Sequence, residues 1–148
     1  MIKLRLICIS LFLMGVISCK DDPPRPVTTH MNCKIDGVSW SADSITYLPI
    51  GSTATIYVTG HGPDSTAVEL YFPRDARIGT YEVSRVGSYG AFYRNSSESL
   101  NGDSGEIIIT KENIDDQFYQ GSFKFIARSV DSSIAKTITS GNFLLENY

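Results

Sequence analysis

The chain has 148 residues, 13 of them basic and 16 acidic, and its formal net charge is −3 at pH 7. This length fits one domain behind a leader segment. The mildly acidic composition without a basic run predicts no basic surface for binding nucleic acid. Of the three cysteines, we expect Cys8 to be removed with the leader and Cys19 to carry a lipid, so Cys33 is left with no partner for an intramolecular disulfide. We expect Cys33 to be a small buried hydrophobe, the alternative being a reactive thiol.

The N-terminal residues predict an exported lipoprotein. Lys3 and Arg5 precede an apolar run over residues 6–17, an order typical of a secretory signal peptide. The run is shorter than the roughly 20 residues that a transmembrane helix needs. Val16-Ile17-Ser18-Cys19 resembles the bacterial lipobox. The resemblance implies cleavage after residue 18 and a lipid on Cys19, which would tether the protein to a membrane; the alternative is an ordinary signal peptide cleaved elsewhere.

A charged tag and a proline-rich spacer follow the cysteine. Lys20, Asp21 and Asp22 resemble the tag that directs Bacteroidota lipoproteins to the outer face of the outer membrane, and a periplasm-facing protein with a solvated leader is the alternative. Three prolines within residues 23–26 predict an extended tether. The expected organisation is therefore a signal peptide over 1–18, a lipidated tether over 19–30 and an antiparallel β domain over 31–148.

The rest of the chain shows repeated alternation with period two, which indicates half-buried strands. Phe123 and Phe125 fall on one apolar face, whereas Ser122, Lys124 and Arg128 fall on the other, a pattern typical of antiparallel sheets. We predict an all-β fold, a single antiparallel β-sandwich, with a closed or partly open β-barrel as the alternative. One helical turn is expected within 111–118, and loops are expected over 84–90 and 95–104, with a hairpin turn at 101–106. The predicted strands are Met31–Asp36, Ser39–Asp43, Thr53–His61, Thr66–Phe72, Gly79–Val83, Ala91–Asn95, Glu106–Thr110, Tyr119–Arg128 and Lys136–Glu146.

Several strand motifs resemble those of a family of small Bacteroidota outer-membrane lipoproteins. The motifs that resemble the family are Ile35-Asp36-Gly37-Val38-Ser39-Trp40-Ser41-Ala42, Ser104–Thr110, Gly121–Phe125 and Ser140–Phe143. The resemblance implies a β domain behind a lipid tether, and it implies no activity. In physical terms Asp36-Gly37 suits a tight hairpin, and we expect Trp40 to fold back onto the first strand and cover one end of the core.

No residue pattern predicts catalysis, a cofactor or a metal site. His30 and His61 have no second ligand at zinc spacing, and no serine lies in a nucleophile motif. Glu69, Glu82 and Glu106 lie on predicted strands and could line a cleft, but charged residues on a solvated strand face are the ordinary case. We therefore predict that the protein is not an enzyme.

The region 73–94 offers the richest material for recognition, because aromatic rings with polar tips suit both glycans and protein partners. We predict a ligand-binding surface formed by Tyr81, Arg85, Tyr89, Phe92 and Tyr93. The alternative is that these aromatic residues fill the core as ordinary strand formers.

Two tripeptides, Asp43-Ser44-Ile45 and Asp64-Ser65-Thr66, resemble the O-glycosylation sequon of exported Bacteroidota proteins, which makes Ser44 and Ser65 candidate acceptors. Ordinary turn chemistry is the alternative.

From these patterns we expect a surface-displayed, non-catalytic binding module for a glycan, peptide or envelope protein. An inhibitor or immunity-type protective lipoprotein is the first alternative, and a hydrolase with an unrecognised site is the second. Neither the ligand nor the oligomeric state follows from the sequence.

Overall fold

The computed structural model describes residues 29–49, 55–87, 89–115 and 118–146. The predicted signal peptide, lipidated Cys19 and the tag of Lys20, Asp21 and Asp22 lie outside these residues. Within them the chain forms ten strands and a single 3₁₀ turn over Pro63–Ser65. The strands are β1 His30–Ile35, β2 Val38–Ser41, β3 Ser44–Pro49, β4 Thr55–His61, β5 Ala67–Pro73, β6 Gly79–Ser84, β7 Gly90–Arg94, β8 Ser99–Asn113, β9 Phe118–Arg128 and β10 Ala135–Glu146.

All ten strands join one antiparallel sheet with the order β2-β1-β10-β9-β8-β7-β5-β4-β3, and β6 pairs with β8 beyond the end of β7. The sheet is strongly curled into a half-barrel. The all-β antiparallel prediction is confirmed, and the sheet has the form of the partly open barrel. The inner face holds the core, because the apolar residues of each alternating pattern point inward, among them Leu70, Phe72, Ile107 and Phe123.

Four parts of the predicted secondary structure are wrong. β3 was not predicted, although Ile45 and Tyr47 alternate with Ser44 and Thr46 and pack against the core. Residues 99–104, predicted as loop, belong to β8, whose pairing with β7 and β9 overrides the low strand propensity of Asn, Gly, Asp and Ser. The predicted hairpin turn at 101–106 is instead a β-bulge between Gly102 and Ser104.

The predicted helical turn is also wrong. Residues 111–113 continue β8 as far as Asn113, and a turn follows at Ile114-Asp115. The β-strand persists because these three residues pair with 118–120 of β9 and so keep their backbone groups hydrogen-bonded in the ladder.

Trp40 packs across the gap between the two edge strands of the sheet, β2 and β3. We call this gap the seam. β2 and β3 are consecutive in the chain but lie at opposite ends of the strand order. Trp40 of β2 lies opposite Cys33 of β1 and is only 7% exposed. Its indole reaches β4 and the turn beyond, and Nε1 donates a hydrogen bond to Thr66 Oγ1 at 2.8 Å. The expectation that Trp40 covers one end of the core is confirmed.

The chain enters the barrel at the opposite end from the β1–β2 hairpin. The Glu146 N–H donates to Thr29 Oγ1 at 3.2 Å. Thr29 therefore holds the end of β10 beside the first residue of β1. Any segment preceding residue 29 leaves the domain from this end.

Cys33 is buried, and burial raises the pKa of its thiol to about 12. We predict that iodoacetamide at pH 8 leaves Cys33 unmodified in native protein and alkylates it in urea, as read by peptide mass mapping. Because the unfolded thiol loses its proton near pH 9 and the folded thiol near 12, the contribution of this group to stability declines as the pH rises through that window. Rapid alkylation in native protein would contradict the buried position.

Candidate functional site

Three half-buried aromatic rings form a row on the outer face of the sheet. Tyr57 of β4 stacks on Tyr71 of β5 with ring centroids 5.5 Å apart and planes 21° apart. Tyr71 also meets Phe92 of β7, with centroids 5.7 Å apart. We call Tyr57, Tyr71 and Phe92 the aromatic stripe. At the Tyr57 end of the aromatic stripe, Leu48 of β3 lies opposite Tyr57. Leu48 is 61% exposed, so the apolar surface continues to the edge strand β3.

A glycine makes this row continuous. Gly90 of β7 lies directly opposite Tyr71. A Cβ atom at Gly90 would fall 2.0 to 2.1 Å from three atoms of the Tyr71 side chain, so the ring lies across the glycine backbone. Glycine in a strand often marks such a close approach. The aromatic stripe is therefore built on a position that no other residue type could occupy without moving Tyr71.

A polar group borders the aromatic stripe. Glu69, opposite Phe92, accepts hydrogen bonds at Oε2 from Thr59 Oγ1 and Arg94 Nη2, each at 3.1 Å. Burial raises the pKa of the Tyr71 hydroxyl, and neighbouring Tyr57 and Glu69 raise it further. The Tyr71 hydroxyl thus stays protonated at neutral pH and remains a hydrogen-bond donor. Rings, hydroxyls and one ion pair share this surface.

The residues predicted from the region 73–94 do not form one surface. Tyr81 and Tyr89 meet with ring centroids 4.7 Å apart and pack against the core. Phe92 lies on the outer face in the aromatic stripe. Tyr93 is 5% exposed and belongs to the core, so its predicted role in ligand contact is wrong. Its inward position follows from the alternation of β7, in which adjacent side chains point to opposite faces.

Arg85 has a role within the structure. Its Nε lies 2.7 Å from Asp103 Oδ1, and its Nη2 donates to Ser129 O at 3.3 Å and Ser132 Oγ at 3.1 Å. Arg128 contacts the second oxygen of Asp103 at 3.1 Å. Arg85 therefore ties the β6–β7 connection to the bulge of β8 and to the β9–β10 loop.

Sequence reasoning missed Tyr57 and Tyr71, although a signal was present. Both alternate with buried residues, so both lie on the face that normally carries polar side chains in an antiparallel sheet. The presence of a tyrosine on the outer face of each of two consecutive strands, β4 and β5, could have indicated an aromatic surface. The contact of Tyr71 with Phe92, a residue of the predicted surface, depends on the pairing of β5 with β7.

Two shallow depressions lie along β8, β9 and β10. Their volumes are about 270 and 250 Å³, and Lys124 lines both. Lys124 Nζ pairs with Glu106 Oε1 at 2.9 Å. Glu82 stands opposite Glu106 in the pairing of β6 with β8 but lines neither depression and is exposed. Glycosidases hold two carboxylates on either side of the scissile bond, an arrangement that these depressions do not show among the described residues.

The two candidate acceptor serines share one region of the domain. Ser44 begins β3 and pairs with His61, and Ser65 ends the 3₁₀ turn that follows β4. Both residues are exposed.

The comparison with protein families gives one match. The model described as a domain of unknown function, DUF6252, matches residues 28–145. The chain belongs to the DUF6252 family. The match contains all ten strands except the last residue of β10, so the curled sheet is the structure of the DUF6252 domain in this chain. Neither the curated proteins nor the solved structures include a match to this sequence.

Two features are absent from the part of the chain that the structure describes. No group of three or more histidine, cysteine, aspartate or glutamate residues there is arranged to hold a metal ion. No helix in the same residues has the length and apolarity needed to cross a membrane.

Proposed function

We propose that this DUF6252 protein is a non-catalytic binding module that recognises its ligand with the aromatic stripe. The observation that carries the proposal is the continuous contact of Tyr57, Tyr71 and Phe92 on the outer face. Aromatic groups with polar tips are enriched at binding interfaces, where each gives a large contact area at low entropic cost. The core does not need these rings, because a separate set of inward residues fills it.

We further propose that the domain is held on the outer surface of the outer membrane by a lipid on Cys19. The support is the order of charge, apolar run and lipobox-like residues in the leader, followed by Lys20, Asp21 and Asp22. Thr29 adds a geometric argument, since the tether would leave from one end of the barrel. The aromatic stripe lies along the side of the barrel, where a tethered domain leaves it open to solvent.

We predict that Tyr57→Ala weakens ligand binding at least about tenfold, which corresponds to about 1.4 kcal/mol, because the first ring of the aromatic stripe is lost. Surface plasmon resonance with immobilised protein and the envelope and secreted material of its native cells measures the effect. Phe118→Ala is the matched control, since Phe118 is a half-buried aromatic residue at the start of β9, away from the aromatic stripe. Equal loss in both variants, or loss in neither, would contradict the proposal.

A further inference from the structure

The geometry of the aromatic stripe points to an uncharged glycan as its ligand, with sugar rings stacked on the aromatic rings and their hydroxyls bound by Glu69 and Arg94. This inference rests on the proposed binding function and specifies its ligand class. Three properties of the surface carry it: its charge, its open hydrogen-bonding capacity and the spacing of its rings.

The surface is electrically neutral. Among the described outward side chains of β3, β4, β5 and β7, the carboxylate of Glu69 and the guanidinium of Arg94 carry full charges, and they pair at 3.1 Å. The remaining positions hold hydroxyl, aromatic or aliphatic groups, together with His61, whose Nε2 lies 2.9 Å from Thr46 Oγ1. A sulfated or uronate ligand would bring negative charge to Glu69, and the described outward side chains of these four strands offer no unpaired cation to balance it. Charge complementarity therefore favours a neutral ligand.

The ion pair retains hydrogen-bonding capacity toward solvent. Both described hydrogen bonds to Glu69 reach Oε2, so Oε1 accepts none of them, and the side chain is 17% exposed. The Arg94 side chain is 49% exposed, and its guanidinium has further N–H donors. An acceptor and a donor held side by side suit two adjacent sugar hydroxyls, one donating to the carboxylate and the other accepting from the guanidinium.

The ring spacing suits a chain of sugar units. Successive centroids of the aromatic stripe are 5.5 and 5.7 Å apart, which is comparable with the length of one hexose unit. The C–H face of a pyranose can lie on an aromatic ring while its equatorial hydroxyls point sideways to polar groups.

The test is an array of immobilised oligosaccharides probed with the purified protein. It carries uncharged gluco-, manno-, galacto- and xylo-oligosaccharides beside sulfated and uronate oligosaccharides. We expect binding to an uncharged glycan that weakens about tenfold or more in Tyr57→Ala and in Glu69→Gln. Tyr57→Phe keeps the ring and is expected to bind within about threefold of the wild type, because stacking uses the ring face. Phe118→Ala is the control away from the site, and a melting curve confirms that each variant folds.

The outcomes separate the ligand class from the proposed function. Binding confined to sulfated or uronate oligosaccharides, lost in Tyr57→Ala, would overturn the uncharged ligand and leave the aromatic stripe as a binding site. Binding to a purified envelope protein but to no glycan, again lost in Tyr57→Ala, would also overturn the glycan and leave the binding function. Glycan binding that Tyr57→Ala and Glu69→Gln leave unchanged would overturn both.

Discussion

Replacing Gly105 by alanine should destabilise the domain by about 3 kcal/mol or more, the largest effect that we expect from a single methyl group. Gly105 has φ +149°, where side chains are rarely tolerated, and it pairs with Phe125 next to the bulge of β8. A Cβ atom there would lie 2.2 Å from the backbone oxygen of Lys124 and 2.5 Å from Phe125 Cα. Because both atoms belong to the backbone of β9, relief requires the two strands to separate.

Urea unfolding followed by tryptophan fluorescence measures this loss, since Trp40 is the chain's single tryptophan. Gly79→Ala is the matched control in β6. The nearest atoms to a Cβ at Gly79 are 3.9 Å away, and its φ lies outside the positive range. It should change stability by no more than about 1 kcal/mol, with a gain expected because alanine lowers the entropy of the unfolded chain. Similar losses at both glycines would show that the contact with β9 is not the cause.

Replacing Trp40 by alanine should cost about 3–5 kcal/mol, the range of large aromatic truncations in cores. The indole does more than fill volume, because it covers the seam between β2 and the end of β4. A Cβ at Gly62 would fall 2.3 Å from Trp40 Nε1, and one at Gly60 would fall 3.1 Å from Cη2. The two glycines therefore leave room for the indole, and its removal opens a channel between the two edges of the sheet.

Two variants separate the packing of Trp40 from its hydrogen bond. Thr66→Val removes the acceptor of the Nε1–H group and the 2.6 Å hydrogen bond to Pro63 O, and should cost about 1–2 kcal/mol. Trp40→Phe keeps part of the ring and should fall between Thr66→Val and Trp40→Ala. Urea unfolding by circular dichroism gives all three values without depending on tryptophan. If Thr66→Val costs as much as Trp40→Ala, the hydrogen bond and not the packing closes the seam.

Much of the fold was predictable from local patterns. The alternation over 119–128 predicted both the span of β9 and its buried face, because neighbouring side chains of a strand point to opposite faces. Asp36-Gly37 predicted the first hairpin, and both residues have positive φ. β8 was predicted at a third of its length, because Asn101, Gly102 and Asp103 have turn chemistry that pairing with two neighbouring strands overrides.

The candidate site was predictable only in part. Phe92 was identified by its place in an aromatic, arginine-rich region, and Tyr93 was wrongly included because adjacent aromatic residues look equivalent until the inward face of β7 is known. Tyr57 and Tyr71 carried the correct alternation, yet nothing in their local sequence connects them to Phe92. That connection requires β5 to pair with β7, although β6 lies between them in the chain. The paired residues are about twenty positions apart.

The sequence by itself determined the antiparallel β class and the inward residues of most strands, since these depend on a period of two. The tertiary structure decided which strands are neighbours, how far the sheet curls, and therefore which outward side chains touch. The physical reason is that register is a long-range property, set by core packing and backbone pairing between distant segments. The aromatic stripe and the ion pair of Glu69 with Arg94 therefore form only once the strands are paired in this register.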